Sequence, residues 1–73
     1  MKKIEHNPPT GNGIVFILTG YTSHEARAKL HATGMHIRRD PKEVTSGVTE
    51  IEVAEKGTAT IAKTIEELGS TLR

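Results

Sequence analysis

The feature that most constrains the fold is a run of five apolar residues, Ile14–Leu18, which ends at Thr19-Gly20. A run this rich in β-branched and aromatic side chains is typical of a strand buried on both faces of a parallel sheet. Four residues later, Thr22–Glu25 has the S/T-x-x-E form of a capping box and predicts a helix that ends near Thr33. The pattern indicates a strand, a tight turn and a helix of the α/β kind.

The rest of the chain predicts two further strands, a second helix and a short final strand. Residues 35–38 and 49–54 alternate between apolar and polar side chains, which is typical of strands with one buried face. Residues 61–68 carry apolar side chains at helical spacing, with Thr58 or Thr60 as a candidate cap. The predicted order is therefore β-α-β-β-α-β.

These elements predict one small domain. Residues 1–12 are expected to form a flexible N-terminal arm, because Pro8-Pro9 favours an extended backbone and no apolar period is present. Residues 13–73 form a single α/β domain with a mostly parallel sheet of three to four strands, in the order 2-1-3-4, and a helix on each face. Its expected core consists of Ile14, Phe16, Leu30, Ile51, Val53, Ile61, Ile65 and Leu68.

Composition narrows the possible functions. The chain of 73 residues has no cysteine, which excludes disulfides and thiolate chemistry and is compatible with the cytoplasm. No segment reaches the roughly 18 apolar residues of a membrane span, so we expect no membrane association. The four histidines include no pair at i, i+4, and no catalytic motif is present. We therefore expect no metal site, no cofactor and no enzymatic activity.

Charge is distributed unevenly along the chain. Residues 1–42 carry seven Lys or Arg against three Asp or Glu, whereas residues 43–73 carry three against six. Arg38, Arg39 and Lys42 lie in a predicted basic loop, and together with Arg27 they are candidates for contact with a nucleic-acid backbone. The basic first half of the chain could thus face phosphate groups.

The order and spacing of three stretches, at residues 15–20, 25–37 and 48–69, resemble a BRCT domain. The resemblance is closest to the domain at the C-terminus of bacterial NAD-dependent DNA ligases. The chain ends where the third helix of that family would begin, and Glu50 and Glu52 occupy a strand face that family members usually fill with apolar residues. We therefore expect a minimal or truncated variant that lacks the third helix.

The resemblance implies a non-enzymatic binding module of DNA replication or repair. Such a module would bind a phosphate group of a DNA end or of a phosphorylated partner. On this chain Thr19 would supply a hydroxyl group, Gly20 a backbone amide and Lys63, in the second helix, the cation. The match at the lysine is inexact, since Ile61 occupies the corresponding position and Lys63 follows two residues later.

Two alternatives remain open at this stage. The chain could be a small stand-alone regulatory protein, of viral or mobile-element type, that binds a protein partner through the bare face of its sheet. It could also complete its fold by forming a homo-oligomer, because a chain of this length buries a small core.

Overall fold

A computed structural model describes residues 1–9, 13–54 and 61–73. The elements in chain order are β1 (Lys3–His6), β2 (Gly13–Thr19), α1 (Ser23–Ala32), β3 (Ile37–Thr45), β4 (Val48–Ala54), α2 (Ile61–Leu68) and β5 (Thr71–Leu72). Among the described residues, no helix is long and apolar enough to cross a membrane.

The five strands form one mixed sheet in the order β3-β4-β2-β1-β5. Every neighbouring pair is antiparallel except β1 and β5, which are parallel. The predicted fold class, a mostly parallel sheet of three to four strands in the order 2-1-3-4, is wrong. The sheet that the BRCT resemblance implies is wrong for the same reason, because β2 pairs with β4 in antiparallel register along all seven of its residues.

The prediction of a helix on each face is also wrong, because both helices pack against one face of the sheet. Ala26 and Leu30 of α1 belong to the same buried cluster as Phe16 and Ile51, and apolar residues of α2 pack against that cluster. The apolar run of β2 does not require a helix on each face, since Ile17, on the other face, is only 2% exposed although no helix of the described residues lies above it. Its cross-strand neighbours Glu5 and Glu50 flank it instead.

Residues 3–6 form a strand, although we expected residues 1–12 to be an arm. Ile4 and His6 of β1 face the core, with cross-strand partners Leu18 and Phe16, and both are buried. Four residues give too short an alternation to outweigh the neighbouring Pro8-Pro9 as a sequence signal. Residues 10–12 lie outside the described part of the chain.

The core and the first helix agree with the sequence. The residues Ile14, Phe16, Leu30, Ile51 and Val53 are buried, as expected, and the apolar residues of α2 are partly buried. The capping box is confirmed, since Thr22 Oγ1 accepts a hydrogen bond from the Glu25 amide and the Glu25 carboxylate accepts one from the Thr22 amide. The candidate caps of α2, Thr58 and Thr60, lie outside the described residues.

A buried hydrogen bond joins the two ends of the chain. His6 Nδ1 in β1 lies 2.8 Å from Ser70 Oγ, just before β5. Both residues are buried, and the His6 ring also packs against Phe16 with ring centroids 5.9 Å apart. The pair therefore fixes the C-terminal segment to β1, the first strand in the chain.

Removing this hydrogen bond should destabilise the fold. We expect Ser70→Ala to cost about 1–3 kcal/mol of unfolding free energy, because it leaves a buried imidazole nitrogen without its partner. Thr71→Ala removes an exposed hydroxyl one residue away and should change stability by no more than about 0.5 kcal/mol. Urea unfolding of both variants is the measurement, and equal effects would show that the buried bond is not formed.

Candidate functional site

The site predicted from the sequence lies beside a groove at the end of β2. The groove has a volume of about 310 Å³ and lies between the start of α1 and the turn joining β3 to β4. Its lining residues are Gly20, Tyr21, Thr22, Ser23, Glu43, Gly47 and Thr49. Buried Thr49 closes its floor and donates a hydrogen bond from Oγ1 to the Tyr21 carbonyl (3.2 Å).

The structure does not bring the three predicted phosphate-binding residues together. The Gly20 amide lines the groove but donates to the Gly47 carbonyl at 2.7 Å. Thr19 lies opposite Val48 and Lys3, on the sheet face that the helices do not cover. Lys63 lies in α2, where its ammonium group is 4.0 Å from the Glu67 carboxylate, and it does not line the groove.

Carboxylates occupy the positions where an anion would meet the groove. Glu43 Oε2 accepts a hydrogen bond from the Gly47 amide at 3.0 Å. Glu25 and Thr22 satisfy each other's backbone amides at the start of α1, at 2.9 and 3.1 Å. These bonds occupy amides that could otherwise attract a phosphate group. Phosphate binding by this chain stays a prediction.

Tyr21 lies at the centre of a charged cluster beside the groove. The ammonium groups of Lys2 and Lys29 lie 5.0 and 5.4 Å from the centroid of its ring. The hydrogen bond from the Thr22 amide holds the pKa of the Glu25 carboxyl below its ordinary value, and the charges of both lysines add to this effect. The cluster therefore ties the N-terminal residues to the first turn of α1.

The lowered pKa of Glu25 predicts a pH effect on stability. Because the folded state favours the ionised carboxyl, its contribution is present at neutral pH and is lost as the pH falls through the lowered pKa. We expect Glu25→Gln to reduce the loss of unfolding free energy between neutral and acidic pH. Glu66→Gln, which removes an exposed carboxylate from α2, is the control. Denaturant unfolding at both pH values is the measurement, and an identical pH dependence in Glu25→Gln and the wild type would contradict the prediction.

Three of the four residues predicted to contact nucleic acid are paired with carboxylates. Arg27 Nη1 lies 2.8 Å from Asp40 Oδ1. Arg38 and Arg39 both approach Glu52, at 3.7 and 3.2 Å. Lys42 lies in β3, opposite Glu50. A nucleic-acid backbone would have to compete with the carboxylates that already hold these arginines.

The second candidate surface is the sheet face opposite the helices, which we call the open face. Its central strip is formed by Val15 and Ile17 of β2 and continues into Val48 and Ala54 of β4. Val15, Val48 and Ala54 are half-buried, and Ile17 is buried. No helix of the described residues covers this strip. It is a shallow apolar surface with partly accessible side chains.

Carboxylates border the strip on both sides. Glu5 of β1 and Glu50 of β4 both lie opposite Ile17, and Glu52 lies opposite Val15. Lys3 neutralises Glu5 at 3.7 Å, and Arg39 neutralises Glu52 at 3.2 Å. Within the described part of the chain, Glu50 has no ion pair within 4.0 Å.

A small pocket opens beside Glu50. Its volume is about 140 Å³, and it is lined by Val15, Arg39, Asp40, Lys42, Glu50, Ile51 and Glu52. It lies where the β3–β4 pairing is irregular: Arg39 pairs with Glu52 and Lys42 with Glu50, so two residues of β3 face one of β4.

Only part of this surface could be predicted from the sequence. The alternation of residues 49–54 places Glu50 and Glu52 on one strand face, and a bare sheet face was one of the alternatives. Glu5 could not be included because β1 was not predicted, and no sequence pattern indicates the pocket. Pro41 and the charged residues around it predict a loop, but in the structure they belong to β3.

Comparisons with known proteins do not assign the chain to a family. No protein-family model, curated protein or solved structure matches it. Among the described residues, no group of three or more His, Cys, Asp or Glu could hold a metal ion.

Proposed function

We propose that this chain is a non-enzymatic binding module that recognises a segment of a partner protein through the open face of its sheet. The observation that carries the proposal is the placement of both helices on one side of the sheet, which leaves the strip of Val15 and Val48 accessible on the other. An accessible apolar strip bordered by polar residues is typical of an interaction surface.

The edges of the sheet are poorer docking sites than its open face. β3 is a long edge strand, but its pairing with β4 shifts register at three places, and Pro41 removes a donor from it. β5, at the other edge, is two residues long. Irregular, charged or very short edges disfavour the addition of a further strand. These features favour side-chain contacts on the open face over strand addition.

The charges on the open face indicate the chemistry of the partner. Three carboxylates lie directly beside the apolar residues Val15 and Ile17: Glu5, Glu50 and Glu52. Glu50 is not ion-paired within the described residues. A segment with apolar side chains and a nearby Lys or Arg complements this arrangement. The proposed partner is therefore a basic amphipathic segment.

Selection from a phage-displayed library of random peptides tests this proposal. We expect the wild-type chain to enrich peptides that combine apolar and basic residues. Val15→Lys should weaken binding of a selected synthetic peptide by about tenfold or more, because it replaces an apolar contact with a like charge. Ala28→Lys places the same charge on the exposed side of α1 and should leave the affinity unchanged.

Two results would contradict open-face recognition. One is a selection that enriches no basic, apolar peptide. The other is a selected peptide that binds Val15→Lys and the wild type equally well. If a second copy of the chain competes for the same face, the wild type forms a dimer that dissociates when the peptide is added. Sedimentation should then show that Val15→Lys does not dimerise.

The DNA-repair role implied by the BRCT resemblance is the competing proposal, and it uses another surface. What supports it is the pair of lysines at Tyr21, beside the groove at the start of α1. Binding of a 5′-phosphorylated duplex that weakens with salt, and is reduced by Lys2→Ala and Lys29→Ala, would favour it. Peptide binding that is unaffected by the duplex would favour the open face.

A further inference from the structure

We infer that the pocket beside Glu50 is a subsite for the guanidinium group of an arginine in the bound segment. This inference rests on the proposed function and specifies which partner group is recognised. A volume of about 140 Å³ is below the roughly 300 Å³ at which pockets for whole small molecules begin. It is sufficient for the end of one long side chain.

The irregular pairing of β3 and β4 creates the pocket. Between the pairs Arg39–Glu52 and Lys42–Glu50, β3 has two residues, Asp40 and Pro41, where β4 has only Ile51. An extra residue of this kind generally bends the strand that carries it, and bulges often redirect side chains near binding sites. Ile51, otherwise a core residue, consequently lines the pocket.

Two of the three carboxylates that line the pocket are already ion-paired. Its lining contains three carboxylates and two basic groups. Asp40 is held by Arg27 at 2.8 Å, and Glu52 by Arg39 at 3.2 Å. Glu50 is thus the carboxylate that an incoming group can engage, and a guanidinium can bind it with two parallel hydrogen bonds.

The apolar part of an arginine side chain has a surface to pack against. Val15 lines the pocket from β2, and it belongs to the strip that the proposed segment contacts. An arginine approaching from the strip would lay its methylene groups along Val15 and direct its guanidinium towards Glu50. One side chain can therefore join the apolar and the charged parts of the surface.

Lys42 competes with the incoming group. It lines the pocket and lies opposite Glu50 in the β3–β4 register. Its ammonium group forms no ion pair within 4.0 Å among the described residues. A guanidinium at Glu50 would be repelled by this charge, so removal of Lys42 should strengthen arginine binding.

Small arginine probes test the subsite without a peptide. N-acetyl-arginine methylamide is titrated into isotope-labelled protein, and the neutral citrulline analogue, which has nearly the same shape, is the control. We expect the arginine probe to shift the amide resonances of Val15 and Glu50 and the citrulline probe to bind about tenfold more weakly. Glu50→Gln should reduce arginine binding to the citrulline level, and Lys42→Met should strengthen it. Unchanged resonances of core residues such as Leu30 would confirm that both variants are folded.

Equal binding of the two probes, or arginine binding that survives Glu50→Gln, would overturn the subsite. If selected peptides still bind the wild type and fail on Val15→Lys, the proposed function stands and only the arginine subsite is wrong. If the arginine probe binds but no peptide is selected, the pocket binds a guanidinium group but open-face recognition of a protein segment is wrong.

Discussion

Ile4→Ala is expected to cost about 2–4 kcal/mol of unfolding free energy, although Ile4 is only the fourth residue of the sequence. Its side chain is 7% exposed and belongs to the same buried cluster as Leu18, its cross-strand partner. Truncation to alanine leaves a cavity between β1 and the helices, and a domain of this size has little stability to lose. Urea unfolding monitored by circular dichroism is the measurement.

Lys3→Ala is the matched control for this prediction. It changes the preceding residue of the same strand on the open face, where the Lys3 side chain is half-exposed and forms one ion pair with Glu5 at 3.7 Å. Its effect should be within about 0.5–1 kcal/mol. An Ile4→Ala variant as stable as Lys3→Ala would mean that residues 3–6 form a mobile arm and not a central strand of the sheet.

Gly20→Ala is expected to have a second large effect, of about 2 kcal/mol or more. Gly20 has a φ of 84°, in the left-handed region that disfavours side chains. A β-carbon at this position would also lie 2.6 Å from the Met1 carbonyl and 3.3 Å from the Lys2 α-carbon. These contacts are with backbone atoms, so the N-terminal segment would have to move away from the end of β2.

Gly47→Ala separates the cost of backbone strain from the cost of the contacts with Met1 and Lys2. Gly47 has a similar φ of 78°, but a β-carbon there would meet nothing within 4 Å. We expect this variant to lose about 1–2 kcal/mol through backbone strain alone. The difference in the unfolding free energies of the two variants then measures the packing of Met1 and Lys2 on Gly20. Equal losses would show that this packing is absent.

Much of the local structure could be predicted from the sequence, whereas the arrangement of the strands could not. The β2 strand, the Thr22–Glu25 capping box and the alternation of β4 are local signals, and each produced the expected element. The apolar run of β2 predicts a parallel sheet only if both faces of the strand need a helix. In the structure Ile17 is buried and its cross-strand partners are Glu5 and Glu50, and no local pattern reveals this pairing.

The candidate site shows the same division. The residues Thr19 and Gly20 are adjacent in sequence, but strand alternation directs the Thr19 side chain to the open face, away from the groove that Gly20 lines. Glu5 and Glu50 are far apart in sequence, and only the order β4-β2-β1 places both beside Ile17. A surface built from three strands depends on pairing register, which the sequence of each strand does not specify.

The claim that the open face is the binding surface is tested most directly by mapping a bound peptide. The protein, labelled with ¹⁵N, is titrated with the tightest peptide from the phage selection, and amide chemical shifts are followed. We predict that the largest changes occur at Val15, Ile17 and Glu50, with little change along the exposed side of α1. Shifts confined to α1 residues such as Arg27 and His31, with the open face unchanged, would contradict it.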